Sequence, residues 1–221
     1  MFKKASPYLL DAEKPADLLL LLAREYFEGG KLSAASSYLE LLIKNYPEGP
    51  HVTDGYVLKG KVLMSLKNYA QASAMFSSAL EKGSRRCEHP VILIQKAKSL
   101  AWSGSKDAAY RAVRKAHRIV KGCVNTEYQE FEDIGGLYIQ FGYPQEALSV
   151  FELALEMDSQ GNHGPRLKIM MARCYEMLDK KESYLAIYNE VANQNDPFWR
   201  NIAKEKMDEM SFNPLIRKGK D

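Results

Sequence analysis

Histidine is suited both to proton transfer and to metal binding, and the chain has four histidines: His51, His89, His117 and His163. A metal site on helices needs at least two such ligands close together, commonly three to five residues apart. These four lie far apart in the sequence and form no pair at helical spacing. The spacing therefore predicts no metal, no histidine-based catalytic centre and no cofactor.

Three cysteines, Cys87, Cys123 and Cys174, are the next candidates for chemistry. Their number is odd and no two of them form a C-x-x-C pair, whereas a disulfide framework or zinc ribbon normally shows paired cysteines. We interpret them as partly buried free thiols in a reducing compartment.

Other catalytic motifs are absent from the sequence. It contains no phosphate-binding loop, dinucleotide-binding glycine motif or nucleophile elbow. The carboxylates fall on polar faces, where a solvated role is far commoner than acid–base catalysis, and Gly135 and Gly136 are better explained by close helix packing. We predict that the protein is not an enzyme.

Positive charge is concentrated in residues 82–121, which hold eleven lysines and arginines against Glu88 and Asp107, a net charge of +9 that leaves −6 for the rest of the chain. Four of these cations recur at i, i+3, i+4 and i+7, so one face of a helix carries Arg111, Arg114, Lys115 and Arg118. Such a stripe suits an acidic protein or an anionic membrane surface. Pairing with acidic faces of neighbouring units or of a second copy is the alternative, and nucleic acid ranks last because no nucleic-acid module accompanies the stripe.

A repeated helical unit positions these side chains. Small residues recur in steps of 37, 37, 38 and 37 at Ala23, Gly60, Ala97, Gly135 and Ala172. Twelve residues after each of the first four, a second small residue follows at Ala35, Ala72, Ala109 and Ala147. Bulky residues keep the same register at Leu39, Phe76, Val113, Phe151 and Tyr188. The agreement of these three series at one period predicts about five copies of one structural unit.

Each copy reads as two helices joined by a turn. The turns are centred on Gly30, Lys67, Gly104, Gly142 and Asp179, where a helix is expected to stop. Apolar residues within each helix recur at i, i+3, i+4 and i+7, so each helix has one stripe to bury. A single hairpin cannot cover that stripe, and the hairpins must therefore stack on one another as an all-α solenoid.

These residues resemble the tetratricopeptide repeat family. The first unit places Leu22, Ala23, Tyr26, Gly30, Ala35, Leu39, Leu42 and Pro47 at the characteristic positions of that repeat, and the fourth places Ile134, Gly135, Tyr138, Gly142, Ala147, Phe151 and Ala154 there. Two departures stand out: the period is 37 residues rather than about 34, and Lys59 and Lys96 occupy a position that is usually apolar. The long connections are similar, more weakly, to those of repeat proteins in bacterial envelope assembly.

The resemblance implies a right-handed superhelical solenoid of five repeats at about 16–52, 53–89, 90–126, 127–164 and 165–198. The five repeats follow a lead-in at 1–15, and they are followed by a capping helix at 199–212 and a flexible tail at 213–221.

No apolar run reaches the roughly 18–20 residues of a membrane span, and no signal peptide is recognisable. We expect a cytoplasmic location, or a periplasmic-facing one if the chain is a domain of a larger anchored protein.

In the family, the first helices of successive repeats line a concave groove that binds a partner. By register, the resemblance assigns to this groove the cations Arg24, Lys61, Lys98 and Arg173 and the apolar residues Phe27, Met64 and Trp102. A row of cations beside apolar side chains suits an acidic or amphipathic protein segment. The alternatives are ordinary solvated cations and, for the apolar positions including Leu20, Val57, Ile94 and Ile169, packing against the neighbouring repeat.

The function indicated is a non-catalytic scaffold or adaptor that binds a peptide or helical segment of a partner protein. A structural subunit of a larger membrane-associated, secretion or envelope assembly, using the basic convex face, is the alternative. A chaperone for an aggregation-prone subunit is the third reading. Formation of a homo-oligomer stays open.

Overall fold

The computed structural model describes residues 16–83, 89–123, 127–158, 161 and 163–212. Within these ranges the chain forms eleven α-helices and no strand. They are α1 (Ala16–Glu28), α2 (Leu32–Asn45), α3 (Val52–Ser65), α4 (Tyr69–Glu81), α5 (His89–Trp102), α6 (Lys106–Val120), α7 (Tyr128–Phe141), α8 (Pro144–Met157), α9 (Gly164–Met177), α10 (Lys181–Ala192) and α11 (Pro197–Phe212). The predicted lead-in at 1–15, the tail at 213–221 and Cys87 lie outside the described residues.

The chain divides into two compact units, Met1–Cys123 and Val124–Asp221. Unit 1 contains helices α1 to α6 and unit 2 contains helices α7 to α11. In each unit, every helix packs against the next one along the chain, as stacked helical hairpins do. The predicted all-α solenoid of helical hairpins is confirmed.

The small residues of the repeat lie where paired helices approach most closely. Ala23, Ala97 and Ala172 are completely buried. At the two glycine positions an added Cβ atom would lie 2.6 Å from the Phe76 ring at Gly60 and 2.2 Å from the Phe151 ring at Gly135. The repeat thus matches glycine with a phenylalanine ring and alanine with the other bulky residues, because the space between the two helices is filled to the density of a protein core.

The turns of all five hairpins end the first helix in the same way. Backbone φ is positive at each predicted turn centre: Gly30, Lys67, Gly104, Gly142 and Asp179. In each case the amide of the next residue donates a hydrogen bond to the carbonyl of the residue five positions earlier, in the first helix. Tyr143 N donates to Tyr138 O at 2.9 Å, and Lys31 N donates to Tyr26 O at 2.8 Å. These bonds are those of a Schellman motif, whose central residue adopts the left-handed conformation.

Two of these turns lack glycine, and Lys67 therefore gives a testable prediction. Its φ of 60° disfavours a residue that carries a Cβ atom. We expect Lys67→Gly to raise the free energy of unfolding by about 0.5–1 kcal/mol, measured by urea denaturation. Gly104→Ala at the equivalent turn is the converse variant and should lower it; a loss of stability in Lys67→Gly would contradict the argument.

Helix α11 covers the end of the last hairpin. It begins at Pro197, two residues before the predicted start at 199. Ala203 is completely buried, and Trp199, Met207 and Met210 pack against the cluster that contains Ala172 and Tyr188. This apolar face shields the interior of unit 2, as a terminal element of a repeat array must.

The cysteines differ from the sequence interpretation at one position. Cys123 is disulfide-bonded, so the expectation of three free thiols is wrong there. An odd number of cysteines and the absence of a C-x-x-C pair do not exclude a disulfide between two cysteines that are distant in sequence and brought together by folding. Cys174 is a free, buried thiol whose pKa burial raises to about 12.

Among the described helices, none has both the length and the apolar character needed to cross a membrane.

Candidate binding surfaces

The first helices of the three hairpins of unit 1 form a continuous surface. Helix α1 contacts α3 and α3 contacts α5, in addition to the contacts between helices adjacent in sequence. Residues one repeat apart on these helices are therefore neighbours in space. We call the exposed side of α1, α3 and α5 the inner face of unit 1.

The three cations predicted for this surface have different surroundings. Arg24 is exposed and lies 3.5 Å from the carboxylate of Asp54 on α3. Lys61 is exposed and makes no ion pair with any residue in the described part of the chain, whereas Lys98 is half-buried. Asp54 was not predicted as a partner of Arg24, although the repeat register places it on the adjoining helix.

The repeat itself explains why Lys61 differs from Arg24. Lys61 follows Arg24 by one 37-residue step, and the residue that follows Asp54 by the same step is Val91. Val91 is 40% exposed and apolar. Lys61 therefore lacks the carboxylate that neutralises the equivalent cation one hairpin earlier, and an exposed apolar side chain occupies that position.

The apolar residues predicted for the groove divide between surface and core. Phe27 and Met64 are half-buried and pack against the hydrophobic clusters of their own hairpins. Trp102 is 55% exposed at the end of α5, where its ring lies 5.3 Å from that of Tyr69 at the start of α4. Leu20 and Ile94 are buried, so the packing alternative holds for these two.

Unit 2 carries the fourth predicted cation. Arg173 is exposed on α9, and Ile169 on the same helix is half-buried and packs against the core cluster. Elsewhere in this unit Arg166 on α9 lies 2.8 Å from Glu132 on α7, whose side chain is 7% exposed. Glu132 is thus a buried carboxylate neutralised from the next hairpin, a role that its place on an acidic helix did not reveal.

An unusual carboxyl group, that of Glu130, lies two residues before Glu132 on α7. Burial, together with the nearby negative charges of Glu127 and Asp133, raises the pKa of Glu130 to about 7. One of its carboxyl oxygens, Oε2, is buried without a hydrogen-bond partner. The signal in the sequence is the run of four acidic residues within 127–133, which makes like-charge repulsion unavoidable.

The basic stripe predicted on α6 is a surface feature of unit 1. Arg111, Arg114, Lys115 and Arg118 are all exposed. The guanidinium of Arg114 lies 5.7 Å from the centre of the Tyr110 ring, a cation–π contact. The buried residues of α6, including Ala112 and Val113, lie between these cations in the sequence, so the helix has one charged side and one apolar side.

In the described residues no group of three or more histidine, cysteine or acidic side chains is arranged to hold a metal ion.

Comparison with known proteins agrees with the repeat. The model of the tetratricopeptide repeat family matches residues 53–81 and 132–160, which contain most of the second and fourth hairpins. No curated protein matches the sequence.

Solved structures share the fold at low sequence identity. YrrB, a TPR protein with an unusual peptide-binding site, is 18% identical with a TM-score of 0.62, over 92% of this chain and 96% of YrrB. The TPR-like repeats of a putative kinesin light chain from Podosopora anserina are 15% identical with a TM-score of 0.65, over 83% of this chain and 100% of that one. PilF of Pseudomonas aeruginosa is 18% identical with a TM-score of 0.58, over 79% and 73%.

Proposed function

This chain is a tetratricopeptide-repeat protein, and we propose that the inner face of its unit 1 binds an acidic or amphipathic segment of another protein. Proteins of this fold are in general non-catalytic scaffolds that bind other proteins or peptides. The proposal is a specific use of that scaffold, with Lys61 as the central charged contact.

The observation that carries the proposal is the unpaired state of Lys61 within the described residues. Its repeat equivalent, Arg24, is neutralised by Asp54, whereas Lys61 has the exposed Val91 at the corresponding position. A carboxylate on a partner segment would supply the missing charge, and an apolar side chain next to it would cover Val91. Charge-assisted hydrogen bonds of this type are about twice as strong as neutral ones.

Trp102 supports the same proposal at the end of the face. An aromatic ring that is more than half exposed yet held against Tyr69 presents a large apolar area with little rotational freedom left to lose. Aromatic side chains of this kind carry much of the binding energy in protein interfaces. Arg24 contributes less in this arrangement because a partner must compete with Asp54 for it.

The experiment is selection of peptides from a random display library against the intact chain, followed by titration of the best binder. We expect Lys61→Glu to weaken binding at least about tenfold, since it replaces attraction by repulsion at the contact. The matched control is Lys44→Glu, the same charge change at an exposed position on α2, which should alter affinity less than about twofold. Equal losses in the two variants, or no loss in Lys61→Glu, would refute the assignment.

A further inference from the structure

A cleft of about 480 Å³ opens in unit 1 between α4, α5 and α6, away from the residues assigned to the inner face. Three cations line it: Lys96 from α5, and Arg111 and Lys115 from α6. The α4 side contributes the hydroxyls of Ser73 and Ser77. Lys96 and Lys98 are two residues apart on α5 and so point about 200° apart around the helix axis, which separates this cleft from the inner face.

The preceding hairpin contains the same arrangement in a neutralised form. Lys59, one 37-residue step before Lys96, donates a hydrogen bond of 3.0 Å to Oε1 of Glu40 on α2. Its side chain is only 17% exposed. A lysine at this usually apolar position of the repeat is thus satisfied by a carboxylate on the second helix of the hairpin before it.

At Lys96 that carboxylate is missing. The residue one step after Glu40 is Ser77, whose hydroxyl donates to the carbonyl of Ser73 at 2.9 Å. Within the part of the chain that the structure describes, no carboxylate bonds to the Lys96 ammonium. The cleft lies where the Glu40 side chain would be if the two hairpins were identical.

The electrostatic surroundings of Lys96 agree with a missing anion. Burial lowers the pKa of Lys96, and the positive charge of Lys115 lowers it further; Glu81 acts in the opposite direction but more weakly. A cation that is partly removed from water beside another cation is stabilised by any anion that enters between them. Arg111 and Lys115 are exposed at the mouth of the cleft and are free to contact further anionic groups.

We propose that this cleft is a second protein-binding site, which receives a carboxylate side chain of an acidic partner segment at the place that Glu40 occupies relative to Lys59. Arg111 and Lys115 contact neighbouring acidic residues of the same segment. The partner is a polypeptide with clustered aspartates or glutamates, because a single anion would leave two of the three cations of the cleft uncompensated.

The test uses the intact chain and a fluorescently labelled oligoglutamate peptide, with affinity measured by anisotropy. Ser77→Glu installs the carboxylate of the preceding hairpin, and we expect it to fill the cleft and to weaken binding at least about tenfold without loss of stability. Lys96→Met removes the central cation and should weaken binding to a similar extent. Arg114→Gln is the matched control: it makes the same change in net charge on α6, beside Arg111 and Lys115, but Arg114 does not line the cleft, and the variant should change affinity less than about twofold.

Three results would overturn the proposal. Equal losses in Ser77→Glu, Lys96→Met and Arg114→Gln would mean that the peptide responds to the overall charge of unit 1 and not to the cleft. Displacement of the peptide by inorganic phosphate at lower concentration than by free oligoglutamate would assign the cleft to phosphate. Binding of phosphatidylserine vesicles that is lost in Ser77→Glu, without binding of the peptide to the unmodified chain, would assign it to a lipid headgroup.

Discussion

Gly135→Ala is expected to lower the free energy of unfolding of unit 2 by about 2–3 kcal/mol, the upper part of the range for overpacking a well-filled core. The new methyl carbon would lie 2.2 Å from Cε1 and Cζ of the Phe151 ring, and Phe151 is completely buried. The ring has no free space to move into, so the two helices must separate or the ring must leave its preferred rotamer. Urea denaturation followed by circular dichroism measures the loss.

Helix α7 provides the matched control for this prediction. Gly136 is the next residue, and a Cβ atom added there would have no neighbour within 4 Å. Gly136→Ala should therefore gain up to about 1 kcal/mol from helix propensity alone. In a Trp102→Phe background, Trp199 is the remaining tryptophan and its fluorescence reports on unit 2.

A second substitution separates the size of the contact from other effects of alanine. Phe151→Leu in the Gly135→Ala background recreates the combination of Ala23 with Leu39 found in the first hairpin, where both residues are completely buried. We expect the double variant to recover at least half of the lost stability, because the methyl group then occupies space that the ring has left. Strictly additive losses in the two single variants and the double variant would refute the pairing.

Stability should also depend on pH through Glu130, whose pKa in the folded protein is about 7 against an ordinary value of 4.5. The folded state binds this proton more tightly than the unfolded state. Its contribution to stability is therefore fully present below about pH 4.5 and is lost as the pH rises through about 7. After allowance for the partial exposure of the group, the loss is about 2 kcal/mol.

Glu130→Gln isolates this contribution, because glutamine keeps the shape of the side chain without the charge. We expect the variant to be about 2 kcal/mol more stable than the unmodified chain at pH 8 and nearly equal to it at pH 4.5. The quantity to compare is the difference between the two unfolding free energies at each pH, because the other carboxylates change the unfolding free energy of both proteins by the same amount. Glu127→Gln should have a smaller effect, because the charge of Glu127 raises the pKa of Glu130 less than burial does. A difference that does not vary with pH would contradict the assignment.

Much of the fold follows directly from the spacing of residues. A fixed 37-residue step and the twelve-residue offset between small residues are local consequences of two helices joined by one turn, and Lys67 could be placed at a turn without being glycine because its neighbours kept the register. The packing of Gly60 and Gly135 follows for the same reason. These features depend on contacts within one hairpin, which sequence periodicity records.

The candidate sites were only partly predictable, because they depend on which residues face each other across hairpins. Arg24 and Lys61 look alike in sequence, yet Asp54 on the next helix pairs with Arg24 and Val91 cannot pair with Lys61. Lys96 was recognised as an exception to the repeat, but its significance depends on Ser77 on the preceding helix, α4, which lines the same cleft. Trp102 could be assigned to a register position, whereas its contact with Tyr69 requires the arrangement of the turn.

The matched glycine and phenylalanine positions also constrain how such a chain can diverge. Between the Gly135–Phe151 combination and the Ala23–Leu39 combination lie two single-substitution intermediates, one overfilled and one with a void. A small void is relieved in part as neighbouring side chains relax into it, whereas a Cβ atom 2.2 Å from a completely buried ring must displace the ring or a helix. Repeats that evolve from this one should therefore replace the phenylalanine with a smaller residue before they replace the glycine with alanine. Duplicated hairpins should change these two sites in the same order.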